Sequence, residues 1–264
     1  MSIIRLDHMF SGYGSRTILH DISFTVDKPE YICVVGPNGV GKSTLIRTLN
    51  GLLKPSAGTI ELQGRPLSYY TQKEVAKIVG YVPVLNSDFN IMTVLETVLI
   101  GRYSHQRWRT TQADLDVAYK ALQAMEIEDL AGRQFNELSS GQKQKVSIAR
   151  GLVQEPSVLM LDEPTANLDI RHQVYVSAFL KELSQRTQIT VFTVSHDLNL
   201  ASKYADRIIL MERPGKIYGI GTPQEIITRE NIRHVYGVDC TITDDCGTPH
   251  VVLQDVLEVS LDRR

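Results

Sequence analysis

The eight residues Gly36-Pro37-Asn38-Gly39-Val40-Gly41-Lys42-Ser43 constrain this chain more than any other stretch, because they match G-x-x-x-x-G-K-[ST] at every fixed position. A strand is predicted to enter them at Tyr31–Val35. A helix from Ser43 to Asn50 is predicted to leave them, with Leu45, Ile46 and Leu49 on one face and Gly51 as its stop. Glycines let the backbone curl so that successive N–H groups point inward at phosphate oxygens. The helix N-terminus adds its partial positive charge. In that setting Lys42 reaches the β- and γ-phosphates, the Ser43 hydroxyl ligates Mg²⁺, and Thr44 follows as the next contact. A chance glycine-rich turn would not come framed by a strand and a helix. Alone, the loop points to a nucleoside triphosphate and not to which one.

A second acidic feature belongs to the same chemistry. Val158-Leu159-Met160-Leu161 runs straight into Asp162-Glu163. Asp162 at the end of a buried strand can hold a Mg²⁺ shell opposite Ser43, and Glu163 can aim a carboxylate at an attacking water. Solvated acids at a strand end are the plainer reading, and the phosphate loop outweighs it. Asn167-Leu168-Asp169 follows directly, and His196 stands at the mouth of the next apolar run, Thr190–Val194, where it reads as a γ-phosphate contact.

These pieces sit in an α/β pattern. Ile3–Leu6, Ile22–Val26, Thr59–Leu62 and Ile78–Pro83 read as further strands, and the continuous apolar runs suit strands buried on both faces. From about Met92 to Leu152 the period becomes helical, as if helices were inserted into a largely parallel core. From about Gly237 the chain reads as a hairpin turning at Asp244-Asp245-Cys246-Gly247. No repeat appears, so one cassette is expected.

Composition then limits the partners. A formal charge of −2 and 22% charged residues show no basic excess of the kind a nucleic-acid partner favours. No apolar run approaches the ~18 residues of a membrane span, and Met1 to Arg16 lacks the pattern of a signal peptide. A cytosolic chain is expected, with any membrane role exercised through a partner. Cys33, Cys240 and Cys246 are odd in number and lack metal spacing, so free buried thiols are expected.

Leu138-Ser139-Ser140-Gly141-Gln142 has no role in phosphate-loop proteins generally. Physically it is a helix start, with Ser139 as cap and Gln142 completing a capping box. Taken in order, Tyr13 in Gly12-Tyr13-Gly14, the phosphate loop, L-S-S-G-Q, D-E, N-L-D and His196 resemble the ATP-binding cassette family over nearly the whole chain. The resemblance implies an α/β P-loop NTPase (RecA-like) fold with a mainly parallel sheet, an N-terminal antiparallel β part and an inserted helical subdomain. It implies one nucleotide-binding domain over 1–264, with the helical subdomain at roughly 88–150 and a C-terminal extension at roughly 237–264. It further implies ATP hydrolysis by a homodimer with two ATP molecules held head to tail. Tyr13 would stack on adenine, Glu163 and His196 would serve their own chain's ATP, and Ser139, Ser140, Gly141 and Gln142 would approach the partner's γ-phosphate.

Thr93 to Arg102 and the tail phrases Gly221–Ile226 and Asn231–Val238 are similar to importers of iron–siderophore, haem and cobalamin complexes, with molybdate or tungstate importers as near neighbours. That likeness implies a paired multi-helix permease, met by the region from Leu85 to about His105, and an extracytoplasmic binding protein. The subunit would sit peripherally at the cytoplasmic face of the membrane. One position departs from the family: Tyr81-Val82-Pro83-Val84 carries valine where a glutamine usually joins the Mg²⁺ and water shell. Valine can neither donate nor accept a hydrogen bond. Either Asn86 or water replaces it, or hydrolysis is slow or weakly coupled. A regulatory module that uses ATP only to dimerise, and a soluble cassette ATPase unconnected with transport, remain as alternatives.

Overall fold

The computed structural model describes residues 2–84, 91–105 and 110–256. In chain order, β1 (Ile4–Tyr13), β2 (Arg16–Val26) and β3 (Tyr31–Val35) lead into α1 (Lys42–Leu49). Then come β4 (Ala57–Leu62), β5 (Arg65–Pro66), α2 (Gln72–Ile78) and β6 (Val79–Val82). Three helices follow before the next strand: α3 (Val94–Leu99), α4 (Gln112–Ala124) and α5 (Ser140–Leu152). The rest is β7 (Val158–Asp162), α6 (Ile170–Arg186), β8 (Thr190–Val194), α7 (Leu198–Tyr204), β9 (Arg207–Glu212), β10 (Lys216–Gly221), α8 (Pro223–Ile226), α9 (Arg229–Tyr236), β11 (Val238–Asp245) and β12 (Thr248–Val256).

The strands assemble into an antiparallel sheet, ordered β2-β1-β4-β5, and a six-stranded sheet, ordered β10-β9-β3-β8-β7-β6. In the second sheet every pairing is parallel except β9 with β10. The expected α/β architecture is therefore present, antiparallel at the N-terminal side and parallel at the centre.

Side-chain alternation on the central strands explains why the sheet sits where it does. Val158 and Met160 of β7, with Phe192 and Val194 of β8, join one core with α1 and the antiparallel sheet. Leu159 and Leu161 of β7, with Val191 of β8, join a second core with α3, α4, α5 and α6. Successive strand residues point to opposite faces, so an unbroken apolar run feeds both. Cys33 and Val35 of β3 belong to a third core with α7, α9 and the terminal hairpin.

The helical stretch from Met92 to Leu152 is not one continuous pattern. Short 3₁₀ turns at Ile100–Ser104, Glu128–Leu130 and Phe135–Glu137 divide it. Thr93, Thr111 and Ser139 each start a helix with a full capping box. The strands β9 and β10 carry no expectation from sequence, although Ile208-Ile209-Leu210-Met211 is the same kind of apolar run as β8. The terminal hairpin turns at Cys246 and Gly247, both left-handed (φ 54° and 84°), as a two-residue turn matched to strand twist requires. This corrects the thiol expectation: Cys33 and Cys240 are buried, and Cys246 is exposed because the turn lies beyond the last strand pair. Asn86 and residues 257–264 lie outside the described residues. Among the described residues no helix is long and apolar enough to cross a membrane.

Candidate functional site

The site forms at the carboxyl ends of three neighbouring parallel strands, β3, β8 and β7, where α/β sheets generally bind their ligands. The phosphate loop leaves β3. Gly36 and Gly41 need to be glycine twice over: both have positive φ (151° and 110°), and a Cβ would fall 2.5 Å from the Met211 carbonyl oxygen or 2.7 Å from Leu19 Cδ2. Val40 is buried, and its N–H donates to the Pro37 carbonyl at 3.4 Å, which closes the loop over the start of α1. The Lys42 ammonium donates to the carbonyls of Gly36 (2.8 Å) and Pro37 (3.0 Å), so it lies across the loop. Burial draws its pKa below the ordinary lysine value, with the Glu163 and Asp162 carboxylates opposing.

Ser43 and Asp162 are in direct contact. The Ser43 hydroxyl donates to Asp162 Oδ1 at 2.8 Å, joining α1 to the end of β7. Asp162 is 2% exposed, and burial raises its carboxyl above the usual aspartate value against the Ser43 hydrogen bond. One hydroxyl and one carboxylate are too few to grip a metal alone. Among the described residues no group of three His, Cys, Asp or Glu could hold one. The pair suits a Mg²⁺ ion that arrives with polyphosphate oxygens and keeps several waters.

Glu163 is the strained member. Its φ of 52° is left-handed in a residue with a Cβ, a conformation retained only where surrounding structure enforces it. Its Oε1 accepts from His196 Nε2, which brings the residue after β7 together with the loop after β8. A cavity of about 570 Å³ is lined by Tyr13, Asn38, Gly39, Gly41, Lys42, Ser43, Thr44, Glu163 and His196. Tyr13, half-exposed at the cavity edge, accepts a hydrogen bond at 3.3 Å from Arg47 Nη1. Arg16, Ile18 and Arg47 escaped the sequence reading; only Arg16's place opposite Tyr13 in the β1–β2 turn could have pointed to it.

Ser139, Ser140, Gly141, Gln142 and Asp169 do not line this cavity. They form a second constellation at the N-termini of α5 and α6. Ser139 Oγ accepts from the Gln142 N–H at 3.3 Å while Gln142 Oε1 accepts from the Ser139 N–H at 3.0 Å. Asp169 caps α6 by accepting from the His172 N–H at 2.8 Å. Ser139, Ser140 and Asp169 are exposed.

Residues 19–166 match the family model described as "ABC transporter". The chain is 40% identical over 255 residues to the ferric enterobactin transport ATP-binding protein of Escherichia coli K12, covering 94% of this chain and 93% of that one. Among solved structures it is similar to a metal-chelate type ABC transporter in an inward-facing conformation, with a TM-score of 0.83 at 28% identity over 96% of this chain and 97% of that chain. A bacterial ABC transporter cassette solved as a dimer gives a TM-score of 0.72 at 28% identity over 83% and 98% of the two chains.

Proposed function

From the premise that the chain belongs to the ABC transporter family, as an ATP-binding and ATP-hydrolysing transport ATPase, we propose that two copies close head to tail to drive import of a metal-chelate type substrate. The whole chain acts as one nucleotide-binding domain, with the helical subdomain at roughly 88–150 and the extension at roughly 237–264. The observation that carries this reading is the split between the two constellations. Glu163 and His196 meet beside Lys42 and Ser43 in one cavity, whereas the exposed turn of Ser139, Ser140 and Gln142 stands apart from it.

Each residue has a physical reason for its part. Tyr13 offers a ring face to adenine. The N–H groups of Gly36 to Thr44, Pro37 excepted, together with the α1 N-terminus, cradle the phosphates, and Lys42 neutralises the β- and γ-oxygens. Ser43 and Asp162 would hold Mg²⁺, which when bound neutralises charge on the β- and γ-oxygens. Glu163 accepts the proton of the attacking water, and His196 orients that carboxylate and contacts the γ-phosphate. Ser139, Ser140, Gly141 and Gln142 approach the partner copy's γ-phosphate with a capped helix N-terminus, and Asp169 lies beside them. Water adds to the γ-phosphorus as the bond to the β-bridging oxygen breaks, giving ADP and phosphate.

The permease would be met by the segment after β6, where Val84, Ile91, Ile100 and Tyr103 leave apolar surface exposed; Leu85 to Asn90 of that expected contact lie outside the described residues. An extracytoplasmic binding protein completes the importer, and the subunit sits at the cytoplasmic face of the membrane; no nucleic acid takes part. Iron–siderophore, haem and cobalamin complexes are the substrate class, with oxyanions second. Purification of the tagged chain from native membranes is expected to bring down a multi-helix permease; a chain that runs free of any membrane protein would favour a non-transport ATPase.

Val84 supports the second reading, a module that binds ATP mainly to dimerise. Its apolar side chain is 38% exposed two residues past the end of β6, where it can offer no hydrogen bond to a water shell. With Lys42, Ser43, Asp162, Glu163 and His196 all in place, an active enzyme is favoured. Val84→Gln is expected to raise phosphate release, or its stimulation by the permease, by a few-fold at most, on the order of one added hydrogen bond. Unchanged values for both would show that this position does not limit turnover.

A further inference from the structure

The two helix starts that stand apart from the cavity touch each other. Gly141 is buried in the first turn of α5, and a Cβ at this position would lie 2.4 Å from His172 Cδ2 and 2.7 Å from His172 Nε2. Only glycine lets the imidazole rest against the helix backbone. The ring is itself pinned. Its Nδ1–H donates to Asp169 Oδ1 at 2.8 Å, because a carboxylate can only accept, and the same oxygen takes the His172 backbone N–H at 2.8 Å. One turn further along both helices, the Lys145 ammonium sits 4.0 Å above the Tyr175 ring. Thus α5 and α6 lean on each other over two successive turns.

The other end of this connection is Glu163. Asp169 follows it by six residues, through a segment with left-handed backbone at both Glu163 and Asn167 (φ 52° and 60°). Glu163 is thus joined to Asp169 by a short run of chain, and Asp169 to Gly141 by direct contact through the His172 ring. We propose that His172 is a positioning residue that registers the Ser139–Gln142 turn of each subunit on that subunit's own catalytic carboxylate. The inference rests on the head-to-tail pair proposed above, in which that turn serves the partner's ATP. It makes His172 the link between the two nucleotide sites of the pair: a shift of the Glu163 segment in one copy displaces the turn that faces the other.

The test compares the parent, His172→Ala, Gly141→Ala and the double variant by sedimentation with Mg-ATP in a Glu163→Gln background. Steady-state hydrolysis in the otherwise native chain supplies the Hill coefficient for ATP. A parent that stays monomeric would sink the pairing itself and is recognised before any variant is read. Given a pairing parent, His172→Ala is expected to leave ATP binding by the monomer unchanged, to weaken pairing about tenfold and to bring the Hill coefficient toward unity. Gly141→Ala is expected to abolish pairing by driving its methyl into the pinned ring. Adding His172→Ala should restore pairing by about tenfold or more. Thermal unfolding of the single and double variants, expected to stay within a few degrees of the parent, separates lost pairing from a fold strained by the same clash. The proposal is overturned if His172→Ala pairs and cooperates like the parent, or if the double variant pairs no better than Gly141→Ala.

Discussion

Glu163→Gln is expected to slow ATP turnover by about 10²–10⁴-fold while ATP binding stays within a few-fold of the parent. The substitution keeps size and shape, so the left-handed backbone at this position and the contact with His196 can persist. What disappears is a carboxylate able to take a proton from the attacking water, the part proposed for it above. Lys42, which lies across the loop, and the Ser43–Asp162 hydrogen bond are untouched, so the groups that grip the phosphates remain. A chain that binds but cannot hydrolyse should accumulate as the ATP-bound pair. Phosphate release and sedimentation with Mg-ATP check both halves. Turnover within about threefold of the parent would remove Glu163 from the chemistry.

The largest effect on stability is expected at Arg102. Its side chain is only 10% exposed; Nε donates to Asp114 Oδ1 at 3.0 Å, and Nη1 donates to the Val153 carbonyl at 2.9 Å and to Glu155 Oε2 at 2.6 Å. Glu155 is more than half exposed and counts for little, whereas Asp114 is 8% exposed and has no other cation in hydrogen-bonding contact among the described residues. The Thr111 backbone N–H, before Arg102 itself, holds the Asp114 carboxyl below the usual aspartate value, so the charge stays when the arginine goes. Arg102→Met should therefore cost about 3 kcal/mol, the low end for breaking a buried pair. For a chain of this size that lowers the melting temperature by roughly 6–12 °C. Arg102→Lys should recover part of it, since an ammonium keeps the charge but cannot reproduce the planar fork. A melting temperature within about 2 °C of the parent would show that the pair carries no net stability.

Much of this site was legible because its chemistry demands fixed residues at fixed spacings. Asn38, Gly39, Gly41 to Thr44, Glu163 and His196 line one cavity, and Asp162 is tied to it through its hydrogen bond with Ser43. The capping box at Ser139 and Gln142 could likewise be read directly, because four consecutive residues supply both partners. Arg102 could not be placed: a charged residue in a 3₁₀ turn reads as surface until α4 and the end of α5 close over it. His172 was equally silent, since its meaning depends on the missing side chain of a glycine 31 positions earlier in the sequence. Nor can composition announce a left-handed glutamate. That conformation is imposed by what surrounds Glu163, not by any preference of its own.

The alternation along β7 has a consequence for how this protein can change. Val158 and Met160 face one core, Leu159 and Leu161 the other, and all four are fully buried. The strand is a party wall between two rooms, and Asp162 and Glu163 are mounted on its end. A void opened in either room lets the wall settle, so both acids drift whichever side is altered. Drift in variants and homologues should therefore concentrate in the outer layers of each core, and leave this one strand almost unedited.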